Sequence, residues 1–244
     1  EYSESIYVGY KFYETAFAEA EAGNMDYDYK SMVQYPFGYG LSYTTFEQKI
    51  SHFEENDDGF TVAVTVTNTG EVAGKDVVEL YYNPPYTNGG IEKSAVNLID
   101  FGKTQVIEPG ESETVEFTVS AEDMASFDTY GAGCYVLESG DYEISIRSDA
   151  HTVLDECIYT VDNTITYDES NPRSSDENVA TVQFSDAEGD EVEYLSRADG
   201  FANYDTATAV PDNYTMDEER KANYKNISNY DIESMNDDSD TMPT

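Results

Sequence analysis

Between residues 41 and 162 the chain alternates apolar and polar side chains with a period of two. In FTVAVTVTNTG (60–70), Phe60, Val62, Val64 and Val66 fall on one face and Thr61, Ala63, Thr65 and Thr67 on the other. That period belongs to a β-strand, whose successive side chains point to opposite faces, and not to a helix. The pattern returns with Val78, Leu80 and Tyr82 against Val77, Glu79 and Tyr81, and with Val115, Phe117 and Val119 against Glu116 and Thr118. It returns again with Tyr142, Ile144 and Ile146 against Glu143, Ser145 and Arg147. One dry and one wet face per strand calls for two antiparallel sheets packed face to face. Turn residues punctuate the runs at NTG (68–70), EPGES (108–112) and ESGD (138–141), and TVLDECIYTV (152–161) would add a further strand. The expectation is a mainly β protein: an immunoglobulin- or fibronectin-III-like antiparallel β-sandwich over residues 41–162.

The flanks differ. Residues 1–40 contain a helix-compatible stretch, FYETAFAEAEAG (12–23), which Gly23-Asn24 would stop. It is too short for a domain and reads as a domain tail and linker. Residues 163–244 are polar and acidic, with brief strand signals at Val182–Phe184 and Val192–Leu195. Such a stretch buries too little apolar area to offset its ordering entropy, so it reads as an acidic connector, partly extended or disordered. At the junction lies YPFGYGLSYTTF (35–46), where Phe37, Tyr39, Tyr43 and Phe46 are placed to form a seam between two domains. Its aromatics should form an exposed apolar patch where one neighbour is missing.

Charge narrows the functional classes. Twelve Lys and Arg stand against 51 Asp and Glu, a net charge of −39. Nucleic acid, which needs a basic footprint, and anionic membrane surfaces are excluded as partners. The acid excess suits solubility or adaptation to salt, with Ca²⁺ binding left as an alternative. In DAEGDEVE (186–193) the glycine is misplaced for an EF-hand loop, so a solvated loop is the preferred reading. Neither His52 nor His151 has a second His or a Cys at metal spacing, so no metal and no cofactor is expected. Cys134 and Cys157 lie in separate β-like runs, as free thiols or as cross-strand neighbours. No apolar run reaches membrane-spanning length. Among loops, YYNPPYTNGGIEKS (81–94) offers the substrate-binding candidates, Tyr86 as a ring for sugar stacking and Lys93 beside it. Alternatively Tyr82 is core and Pro84-Pro85 merely ends a strand.

Several ordered motifs also carry a resemblance. YSESIYVGYKFYET (2–15) and VQYPFGYGLSYTTF (33–46) resemble the end of the α/β sandwich domain of family 3 glycoside hydrolases, the β-glucosidase family. VTVTNTGEVAGKDVVELYYNPPY (64–86), LIDFGKTQVIEPGESETVEFTV (98–119) and YGAGCYVLESGDYEISI (130–146) resemble the fibronectin type III-like domain that follows it. YLSRADGFANYDTATAVP (194–211) and DDSDTMPT (237–244) resemble the connector of a permuted subgroup in which the (β/α)₈ barrel comes after the sandwich; Gly200 stands where that subgroup tends to carry Trp. The resemblance implies a parent that hydrolyses β-glucosides or related β-glycosides. Its nucleophile is an aspartate of the barrel and its acid/base a glutamate earlier in the α/β domain; neither motif occurs here, so no catalytic residue is assigned. It implies the α/β sandwich and the barrel as partners, and a non-catalytic structural role for this segment. The alternative is a free-standing carbohydrate-binding or adhesive module, with an oligosaccharide on the Tyr86 loop. The compartment stays open, bacterial cytoplasmic or secreted, the targeting region being expected outside this chain.

Overall fold

A computed structural model describes residues 3–56, 58–181, 192–210 and Glu218. Residues 1–208 form one compact unit and residues 209–244 a second, of which only Ala209, Val210 and Glu218 are described. The alternating runs are strands. One sheet has the order β1 (Phe46–Asn56), β2 (Gly59–Asn68), β5 (Ser112–Ser120). The facing sheet has the order β4 (Asn97–Lys103), β3 (Val77–Asn83), β8 (Gly140–Asp149), β9 (Thr152–Val161). A small ribbon joins β6 (Ser126–Phe127), β7 (Tyr135–Leu137) and β10 (Ile165–Tyr167). All pairings are antiparallel, with Ile146 opposite Leu80 and Val64 opposite Val115. This is the two-sheet sandwich, mainly β, that the alternation demands.

The core lies between the sheets. Phe60, Val62, Val64 and Val66 from β2 meet Val78, Leu80, Ile144 and Ile146 from the other sheet, all of them without exposed surface. Each such side chain contributes about 1.5–3 kcal/mol of burial before conformational entropy is set against it. Asn68, also fully buried, satisfies its amide completely: Nδ2 donates to the carbonyls of Val72 and Ile107, and Oδ1 accepts from Thr44 Oγ1 and Gly70 N.

The second face of β3 and β8 departs from the wet-face expectation. Tyr81, Ser145 and Arg147 are buried there, because helix α1 (Tyr10–Glu21) and the residues leading into β4 cover them. Leu98 N donates to Tyr10 Oη at 3.0 Å, Ala95 N donates to Thr15 Oγ1 at 2.9 Å, and the Tyr10 ring meets Tyr81 edge-on. Arg147 is satisfied by Ser145 Oγ, the Ala150 carbonyl and Asn83 Oδ1 at 2.8–3.0 Å. α1 begins after Gly9 and ends before Gly23, whose φ of 78° is the left-handed stop that the sequence announces. A short α2 (Tyr29–Met32) follows.

Residues 192–208, within the stretch read as a connector, dock on the other side of α1. Leu195 and Phe201 are buried with Tyr7, Phe12 and Ala16, and Tyr204, in the short α3 (Tyr204–Ala207), stacks on Phe12 at 4.3 Å. Val192–Leu195 form no strand. The strand signal at Val182–Phe184, residues 186–191 of the acidic cluster, Asp57 and nearly all of the closing acidic stretch lie outside the described residues.

Candidate functional site

The loop between β3 and β4 carries both residues singled out from the sequence, and the structure brings them together around protein partners. Pro84 and Pro85 follow directly on the end of β3 at Asn83. Lys93 is 2% exposed; its Nζ donates to the Pro85 carbonyl at 2.9 Å and pairs with the Glu138 carboxylate. The Tyr86 ring lies under the Arg197 guanidinium, 4.0 Å from its centroid, and among the described residues the buried Tyr86 hydroxyl has no hydrogen-bond partner. Burial pushes the Tyr86 phenol above its ordinary pKa.

Three residues outside the sequence candidates, Glu92, Glu19 and Arg197, organise this region. Glu92 accepts from the Tyr7 hydroxyl, Ser196 Oγ and Arg197 N. Glu19, on α1, accepts from Arg197 Nε at 2.5 Å and from Asn24 Nδ2 at 2.6 Å. Arg197 Nη1 also donates to the Lys93 carbonyl at 3.2 Å. Burial, then the bond to Glu92, raises the Tyr7 phenol well above its normal range. The signal for Glu19 was present: Phe12, Ala16 and Glu19 share one face of the helix, with a carboxylate in an apolar place. Both carboxylates act here as acceptors, Glu19 for the Arg197 guanidinium and Glu92 for the Arg197 backbone N–H and two hydroxyls.

A second cluster lies on the opposite flank of α1. His151, in the β8–β9 turn, places Nδ1 2.9 Å from Glu14 Oε2 and stacks on Tyr29 at 3.9 Å, while the Tyr29 hydroxyl donates to the other Glu14 oxygen. His52 is exposed beside Glu54. A hollow of about 380 Å³, lined by Tyr10, Tyr13, Glu14, Tyr29, Tyr35 and Phe37 among others, opens here. A larger cleft of about 1130 Å³ runs beside Lys93, past Lys11, Tyr82, Phe127, Tyr130 and Glu138. Burial lowers the pKa of the Lys11 ammonium. Among the described residues no group of three or more His, Cys, Asp or Glu could hold a metal ion, and no helix is long and apolar enough to cross a membrane. Cys134 and Cys157 are both free.

The aromatic junction forms an open shelf. Tyr35, Phe37, Tyr39, Leu41 and Tyr43 are 46–101% exposed, and Phe37 lies flat on Tyr10 at 4.6 Å. Phe46 alone turns inward, against the sandwich core.

Comparison with known proteins places this architecture. The family description "Fibronectin type III-like domain" matches residues 76–150, from the start of β3 to the end of β8. β-Glucosidase A of Butyrivibrio fibrisolvens is 39% identical over 58% of this chain, and a β-glucosidase of Ruminococcus albus is 37% identical over 67%. The chain is homologous to family 3 β-glucosidases. Among solved structures, β-glucosidase 3B from Thermotoga neapolitana, in complex with α-D-glucose, superposes with a TM-score of 0.57 at 33% identity, covering 67% of this chain and 20% of that one. A β-glucosidase from Paenibacillus barengoltzii superposes at 0.58 with 34% identity, covering 68% of this chain and 18% of that one. The chain spans only 18% and 16% of the two curated β-glucosidases.

Proposed function

We propose that this chain is a non-catalytic structural segment of a family 3 glycoside hydrolase that acts on β-glucosides or related β-glycosides. It would join the tail of an α/β sandwich domain, a fibronectin type III-like sandwich and a connector to a (β/α)₈ barrel in the permuted order. The observation that carries this reading is the exposed shelf Tyr35–Tyr43, set beside α1 on a sandwich homologous to part of much longer β-glucosidases. Five large apolar side chains gathered in one short loop, in a chain of net charge −39, suit a surface that another domain covers. Its role is to hold catalytic domains in register, where about 1 Å of misplacement costs on the order of 100-fold in rate. The structural reading is preferred to a carbohydrate-binding module because Arg197 lies over one face of the Tyr86 ring. The test is an aryl-β-glucoside assay: the isolated chain should show no turnover, and the parent reading frame should. Turnover by the isolated chain would sink the non-catalytic assignment.

A further inference from the structure

Residues 192–208 return to α1 from the far end of the compact unit, and the surface that receives them is built for one cation. Glu19 is 4% exposed in a strongly acidic chain. A buried carboxylate left without a partner is strongly destabilising. Arg197 supplies Nε to Glu19, Nη1 to the Lys93 carbonyl, its backbone N–H to Glu92 and its flat face to the Tyr86 ring. In-plane acceptors combined with an aromatic face suit a guanidinium and not an ammonium. On either side of Arg197, Leu195 and Phe201 fill the hollow among Tyr7, Phe12 and Ala16. Gly200 and Phe201, at φ 68° and 60°, make the left-handed turn that brings the ring back. At Gly200 a larger residue would be strained.

The interface is also less complete than the sandwich core. Four buried side-chain polar atoms lack a partner among the described residues, and three of them, Tyr27 Oη, Tyr86 Oη and Asn203 Oδ1, belong to this surface or to the segment on it. Unpaired buried polar groups weaken a contact. The Arg197–Glu19 bond spans 178 residues of sequence and the Ser3–Ala207 bond 204, so the contact set does not require donor and acceptor to be close in the chain.

We propose that the surface formed by α1, Tyr7, Tyr86 and Glu92 is a peptide-recognition site for a segment of the type Leu-x-Arg-x₃-Phe, and that its partner in trans is residues 192–208 of a second copy of this chain. Exchange of the segment between copies preserves every contact, the low-cost route to a swapped dimer. This inference does not depend on the hydrolase assignment.

The test uses a fluorescein-labelled peptide of residues 192–208, followed by anisotropy, and the full chain carrying Arg197→Ala with Phe201→Gly. Those changes withdraw the guanidinium from Glu19 and the ring from the hollow, which weakens the segment's own hold while Leu195 and Tyr204 stay in place. The variant should bind the peptide saturably. The unsubstituted chain should bind at least about tenfold more weakly, because its own tethered segment competes at an effective concentration on the order of millimolar. Adding Glu19→Gln to the variant, or replacing Arg197 by Lys in the peptide, should each weaken binding at least tenfold. A folded variant that does not bind, or equal binding by variant and unsubstituted chain, overturns the proposal. Should the variant lose its cooperative melt, unsubstituted copies labelled separately with donor and acceptor dyes serve instead. Energy transfer that grows on mixing at high concentration, with a dimer by light scattering, supports exchange; a monomer without transfer refutes it.

Discussion

Replacing Glu138 by Gln is the sharpest probe of what Lys93 does. The Lys93 side chain is 2% exposed and that of Glu138 34%, and Nζ has the Pro85 carbonyl as its other acceptor. Breaking a buried ion pair from one side costs about 3–5 kcal/mol, because the remaining charge is stranded. The exposure of Glu138 places Glu138→Gln near the lower end, about 3 kcal/mol. For a unit of this size each kcal/mol moves the midpoint by about 2–4 °C, so Tm should fall by about 6–12 °C. Lys93→Met should cost less, about 1–2 kcal/mol, since it keeps the packing of the stem and leaves a carboxylate that water can reach. The double variant should melt close to Lys93→Met, because removing Glu138 no longer strands a cation. Thermal and urea melts followed by circular dichroism, with the four proteins side by side, measure the cycle. If Glu138→Gln is harmless while Lys93→Met costs as much or more, the pair is not what holds Lys93. Lys93 would then be free to meet a ligand, and the structural reading fails.

Two further outcomes follow from buried titratable groups. Burial, reinforced by Asp155, Glu156 and Glu55, pushes the Cys157 thiol up to about 11, and burial raises Cys134 as well. Alkylation of Cys157 by iodoacetamide at pH 8 should therefore run about 100-fold slower than for an ordinary thiol; a rate within threefold of free cysteine would contradict this. Burial is also the main cause that raises the pKa of Glu79, Glu143 and Asp123. Folded-state values above unfolded ones mean that the folded chain holds more protons in the window between them. Stability should rise as pH falls from neutral through those raised values, and be lost as pH climbs back above them. Tm should be higher at pH 5.5 than at pH 8, with a smaller difference in Glu79→Gln. A flat or inverted profile counts against the burial of these acids.

Much of the sandwich could be read from local pattern alone. Phe60 to Val66 alternate because backbone geometry sends neighbouring side chains to opposite faces, and all four apolar positions are buried. TVLDECIYTV is β9 from its first residue to its last. The helix, too, was marked by Ala and Glu before Gly23, although α1 starts two residues earlier than the quoted stretch. The aromatic junction announced its exposure by concentrating rings in a loop too short to bury them.

Other features depend on contacts that no window of sequence contains. Tyr81 and Arg147 alternate as wet-face residues, yet α1 lies over them, and nothing near position 147 says so. Tyr86 and Lys93 have the composition of a ligand loop; Arg197, from the far end of the chain, covers one, and Glu138, on the ribbon side of β8, neutralises the other. Residues 192–208 are too polar to fold alone, but Leu195 and Phe201 find a hollow already lined by α1. The physical reason is the range of the forces that decide each case. Alternation and turn chemistry act between near neighbours and are written in local order, whereas burial of a charge or a ring is settled by whichever distant segment arrives to cover it.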